Sequence, residues 1–141
     1  MVFFMGKNKI ILTGIILVAA IAITACGIEK VSKKKTNDLD FTVVAENEIP
    51  AEVNQIIEER KETPFKVTYS DNEYTYIIVG YGEQKYDGYS ITVKNIYETK
   101  NAICVKTEFC GPDEYSNMEV TTYPYIVIKI EYTNKNVVFS E

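Results

Sequence analysis

The chain predicts an α+β fold, mainly antiparallel β: a small sandwich or curled sheet of about seven strands, with one helix (about Pro50–Lys61) packed on it. Three observations carry this prediction. Several short runs alternate apolar and polar residues with the two-residue period of a half-exposed strand, as in Phe65, Val67 and Tyr69 against Lys66, Thr68 and Ser70. The run Tyr74–Tyr81 is apolar on both alternating faces, which a strand tolerates only when covered on both sides, so it belongs in mid-sheet. Only one segment, with Val53, Ile56 and Ile57 on one stripe, repeats at helical spacing.

Phe41, Val43 and Ala45 alternate as a first strand. Pro50 then suits the first turn of a helix, where its missing N–H costs nothing, and Thr63-Pro64 ends that helix because a residue before proline avoids the α region. About three turns are too few to stand alone, so the apolar stripe must lie on the sheet and cover one face of its central strand. Asp71-Asn72 turns Phe65–Ser70 back into Tyr74–Tyr81 as a hairpin. The glycine-bracketed loop Gly80–Gly88 leads into Tyr89, Ile91 and Val93, which alternate with Ser90, Thr92 and Lys94, and reads as joining a second hairpin. Glu98–Asn101 turns into Ile103, Val105, Thr107 and Phe109, and Cys110–Val120 is the longest loop. Tyr125–Tyr132 follows with Ile126, Ile128 and Ile130 inward, and Val137–Phe139 is a short last strand.

The first 38 residues are of another kind. Lys7 and Lys9 precede the apolar run Ile10–Ala25, which has the charge and length of a secretory leader over residues 1–25. The run ends Ile23-Thr24-Ala25-Cys26, an aliphatic residue and two small ones before a cysteine, as in a bacterial lipoprotein box. Small residues there admit the peptidase, and the Cys26 thiol takes the diacylglycerol. A plain signal peptide with a chance cysteine, or an uncleaved anchor helix, fits the same run. Residues 26–38 read as a tether, reaching about 40 Å extended or on the order of 20 Å as a coil. Lys33–Lys35 in it suit either anionic headgroups or plain solvation. Residues 39–141 form the folded domain, on the cell-membrane side facing away from the cytoplasm.

Composition excludes several functions. The chain has no histidine, so the commonest general base and metal ligand is missing. From Thr36 onward nine basic residues face nineteen acidic ones, a net of −10, opposite to the balance that nucleic-acid binding needs. Cys104 and Cys110 lie six residues apart on one strand, roughly 20 Å by strand rise, whereas a disulfide needs about 4.4–6.8 Å. Cys104 is expected at an exposed or edge-facing position, and Cys110 in a loop. A cysteine nucleophile would lack its usual base. Glu83, Asp87, Asp113 and Glu114 are loop carboxylates that suit an acid pair, a calcium site or a solvated face, with no calcium-loop spacing among them. No catalytic residue, metal, cofactor or small-molecule substrate is expected.

Four blocks in order, Tyr76-Ile77-Ile78-Val79, Gly82-Glu83-Gln84, Gly88-Tyr89-Ser90-Ile91 and Thr122-Tyr123-Pro124-Tyr125, resemble the PrcB C-terminal domain family over roughly Tyr74–Ile130. The family favours a Pro-Thr-Gly-Gly-Tyr run where this chain has Lys85-Tyr86-Asp87-Gly88-Tyr89. The resemblance implies a non-catalytic exported domain that associates with, or stabilises, a protein partner such as a surface protease. The candidate contact surface is Gly82, Glu83, Gly88 and Tyr89 with Tyr123 and Pro124, since rigid, polar-tipped tyrosines make good interface anchors. The same tyrosines equally suit a core edge, with the glycines only making the turn. Tyr123-Pro124 is also a position for a cis bond. Two other classes stand beside this one. A chagasin-like protease inhibitor would present the Gly80–Gly88 loop, though the Thr-Thr before its Gly-Tyr and the tryptophan loop are absent. A hydrolase would use the loop carboxylates.

Overall fold

The structure is a computed structural model that describes residues 35–114 and 118–140; the expected leader and Cys26 lie outside the described residues. In chain order the strands are β1 (Lys35–Asp38), β2 (Thr42–Val43), β3 (Pro64–Ser70), β4 (Tyr74–Tyr81), β5 (Ser90–Thr99), β6 (Ala102–Cys110), β7 (Tyr125–Glu131) and β8 (Asn136–Ser140). One helix, α1 (Ala51–Arg60), lies between β2 and β3, after a single 3-10 turn at Glu46–Glu48. The strands form two sheets of four, in the orders β1-β5-β6-β8 and β2-β7-β4-β3. This is the expected class, a β sandwich with one helix on it.

The doubly apolar run is the structural centre. β4 is hydrogen-bonded to β3 on one edge and to β7 on the other. Its Ile77 and Val79 point between the sheets, against Ile126, Ile128 and Ile130 of β7 and Ile96, Ile103 and Val105 of the facing sheet. Its Tyr76 and Ile78 point the other way, into a second core with Val127, Phe65 and the helix residues Val53 and Ile57. Ile77, Ile78 and Ile128 are fully buried, each contributing about 1.5–3 kcal/mol of transfer free energy. The helix stripe therefore covers one face of β4, as its length requires. Pro50 sits at the N-cap, one position before the expected first turn, with its carbonyl accepting the Asn54 N–H at 3.0 Å. β3 begins at Pro64, just beyond the helix end.

Several expectations are corrected. Tyr74–Tyr81 and the strand after the loop do not form a hairpin: β4 and β5 lie in different sheets, because both edges of β4 are taken by β3 and β7. The Gly80–Gly88 loop is a crossover from one sheet to the other. β8 crosses over from β7 and runs parallel to β6, within the mainly antiparallel class expected. Strand pairing begins earlier than the tether assignment: Lys35–Asp38 is an edge strand on β5, with Thr36 Oγ1 donating to the Glu98 carbonyl at 3.0 Å. In the first expected strand, Phe41 and Val43 face solvent and Val44 packs on the helix-side core. Cys104 is buried, because β6 is an inner strand and its cross-strand neighbours are Tyr97 and Val138. Its sulfur bonds the Tyr97 hydroxyl, which raises that phenol's pKa. Cys110 closes β6 rather than lying in the loop, and both thiols are free. No peptide bond among the described residues is cis, so Tyr123-Pro124 is trans.

The β3–β4 turn is as expected and is locked by one side chain. The Asp71 carboxylate accepts the N–H groups of Tyr74 at 2.7 Å and Glu73 at 2.8 Å. Those two bonds, the one from Tyr74 first, hold its pKa below the ordinary aspartate value. A lowered folded-state pKa contributes stability above the unfolded value of about 3.9, and that stability is lost as pH falls through the folded pKa. The stability difference between the native chain and Asp71→Ala, measured by urea unfolding, should be constant from about pH 5 to 7 and shrink below about pH 4. A difference that stays flat to pH 2 would show that the ionised carboxylate is not what locks the turn.

Candidate functional site

The crossover after β4 folds back along the segment that leads into β7. Tyr81 donates its N–H to the Pro124 carbonyl at 2.9 Å, and Gln84 and Thr122 exchange N–H···O bonds at 2.8 and 2.9 Å. Further out, the Val120 N–H reaches the Lys85 carbonyl at 2.9 Å, and Thr122 Oγ1 donates to the Tyr86 carbonyl at 2.7 Å. The loop is thus strapped to residues 120–124 along its length and does not project as a free finger. Chain reversal at both of its ends falls on glycine: Gly82 and Gly88 have φ of 76° and 84°. A Cβ at Gly82 would lie 2.9 Å from Pro64 Cδ, and one at Gly88 2.9 Å from Pro112 Cβ. Conformation and space both demand glycine there.

The candidate residues come together because β7 pairs with β4, so that the two loops meet at one end of the sandwich. Asp87, Gly88, Tyr89, Thr122, Tyr123 and Pro124 line a depression of about 190 Å³. The Tyr123 hydroxyl donates to Glu83 Oε1 at 3.5 Å, and the Lys61 ammonium lies 4.9 Å from the centre of the Tyr123 ring. Lys61 is itself bonded to Glu58 at 2.9 Å, which raises its pKa and keeps it charged. Tyr89 is anchored from below: its ring stacks on Phe109 at 4.9 Å, and Tyr81 stacks on the same ring at 4.4 Å. Tyr89 is therefore half-buried and rigid, a packed residue that keeps one side toward the depression. Of the loop carboxylates, Glu83 and Asp87 lie at this patch, while Asp113 and Glu114 are exposed in the turn after Pro112.

Beside the patch, Val43, Val44, Glu46, Ile49 and residues 123–127 line a larger cleft of about 350 Å³. Tyr125 stands in its wall, its pKa raised first by burial and then by the carboxylates of Glu46 and Glu58. Sequence reading missed Glu46 and Tyr125, because nothing in the local pattern announces that β2 borders β7. The aromatic stretch Tyr123-Pro124-Tyr125 was the available signal.

Gly88→Ala would combine a left-handed φ with a close approach to Pro112. Urea unfolding should show a loss of about 1–3 kcal/mol, and an unchanged midpoint would show that the loop end has room to adapt.

Residues 75–131 match the family model described as PrcB C-terminal, a stretch from the start of β4 to the end of β7 that contains both loops of the patch. A 65-residue stretch is 40% identical to an uncharacterized protein of Methanocaldococcus jannaschii, covering 46% of this chain and 39% of that protein. The matched part is thus well under half of that relative's length. No solved structure matches the chain. The four sequence blocks fall inside the matched stretch, so over residues 75–131 the chain is similar to the PrcB C-terminal family.

Proposed function

We propose that the chain is a non-catalytic binding module that docks a protein partner, such as a secreted protease, while held on the outer face of the membrane by a lipid on Cys26. The family supports the coarse part of this reading, since it is one of protease-complex-associated subunits. The observation that carries the finer part is the meeting of Glu83, Gly88 and Tyr89 with Tyr123 and Pro124 at one end of the sandwich. Stacking on Phe109 and the bonds to residues 120–124 restrict the patch before any partner arrives. A pre-ordered surface loses little entropy on binding. Because the loop lies flat against its neighbour, it suits a docking face better than the wedge of a chagasin-like inhibitor.

Cross-linking on intact cells should recover one dominant protein partner, and a Glu83→Lys/Tyr123→Ala variant of unchanged thermal stability should lose most of that recovery. Equal recovery in the variant would sink the assignment of the patch. For the anchor, fatty-acid label should enter the native chain and be absent from Cys26→Ala; equal labelling of the two would rule out a lipid on that thiol.

A further inference from the structure

The open edge of β7 points to how a partner is gripped. β4 covers one edge of β7 over its whole length, from the Tyr74–Glu131 pair to the Gly80–Tyr125 pair. On the other edge β2 pairs only with Ile128 and Lys129, and the Val44 N–H adds one bond to the Val127 carbonyl at 2.9 Å. The chain then leaves the sheet for the turn at Glu46–Glu48. Backbone groups of an antiparallel strand face its two neighbours alternately. The bonds at Thr122 and Pro124 put even-numbered residues on the β4 side, and the bond at Val127 puts odd-numbered ones on the β2 side. By this alternation the N–H and C=O groups of Tyr123 and Tyr125 face away from β4, on the side where Val43, Val44 and Glu46 line the 350 Å³ cleft, and no turn or loop backbone bond reaches them among the described residues.

We propose that an extended, basic peptide segment of the partner protein adds beside Tyr123–Tyr125 as a further strand, end-on to the segment whose last bond to β7 is Val44 to Val127. This rests on the docking reading above and names the mode of contact. Main-chain bonds to an exposed sheet edge supply the grip in such additions, and alternate side chains supply selectivity. The selectivity here is electrostatic. Glu46 lines the cleft and makes no ion pair among the described residues, and Glu83 stands at its Tyr123 end. The nearby cation, Lys61, is already engaged by Glu58. Lysines or arginines of an incoming strand would meet these carboxylates, whereas a second copy of this net-acidic domain would bring like charge to them.

The test uses the full chain and two synthetic peptides, one alternating lysine with valine and one alternating glutamate with valine. The lysine peptide should bind, slow amide exchange at Tyr123 and Tyr125 by about tenfold or more, and lose roughly three- to tenfold in affinity with Glu46→Lys. Equal binding of both peptides, no binding, or unchanged exchange at those two amides would overturn the proposal. So would protection of the Tyr125 amide without peptide, by a second copy if it rises with protein concentration and by the chain's own segment if it does not. If the lysine peptide fails while Glu83→Lys/Tyr123→Ala still abolishes partner capture, strand addition is wrong and the docking patch stands.

Discussion

Pairing of β4 with β7 is the constraint from which the remaining structure follows. The two strands run antiparallel in continuous register, and each buries side chains on both faces. Ile77 opposite Ile128 feeds the core between the sheets, and Ile78 opposite Val127 feeds the core beneath the helix. A slip of one residue would exchange the two sets and place tyrosines where isoleucines fit. The facing sheet closes over one side, α1 over the other, and the strand ends carry the two loops of the patch.

The elements were readable because their patterns are local. Phe65–Ser70 alternates, Tyr74–Tyr81 does not, and Val53 and Ile57 share a helical stripe; each of these features depends only on neighbours within a few residues. Pairing partners were less readable, because they depend on residues far away. The expected β4–β5 hairpin failed for that reason: a glycine-rich loop between two strand patterns looks the same whether the chain returns beside itself or crosses to another sheet. β5 shows a subtler case. Ile91 and Val93 point inward on odd positions, yet Ile96 is buried on an even one. A bulge between Val93 and Asn95 shifts the register, and the Lys94 ammonium meets Glu108 at 2.7 Å. Simple alternation does not foresee that shift.

At the patch, the residue types were legible and their roles were not. Tyr89 and Tyr123 stood out as aromatic residues near glycine or proline, but the sequence left open whether they were anchors or core edge. Their surroundings divide them. Tyr89 is packed on Phe109, whereas Tyr123 lies between the Lys61 cation and the Glu83 carboxylate. Glu46 and Tyr125 became visible only once the short edge strand β2 was found to stop halfway along β7. The acidic balance of the domain thereby acquires a location, with carboxylates along one open strand edge.

The two edge strands nearest the N-terminus lie in opposite sheets, with Leu39 between them packed against the inter-sheet core. Lys35 pairs with Thr99, and Thr42 with Lys129, so this stretch is synthesised well before its partners and has to wait for them. Contacts of such long sequence separation slow folding. The lacing of the two sheets is therefore a late event relative to the synthesis of this stretch, possible only once Lys129 has been made.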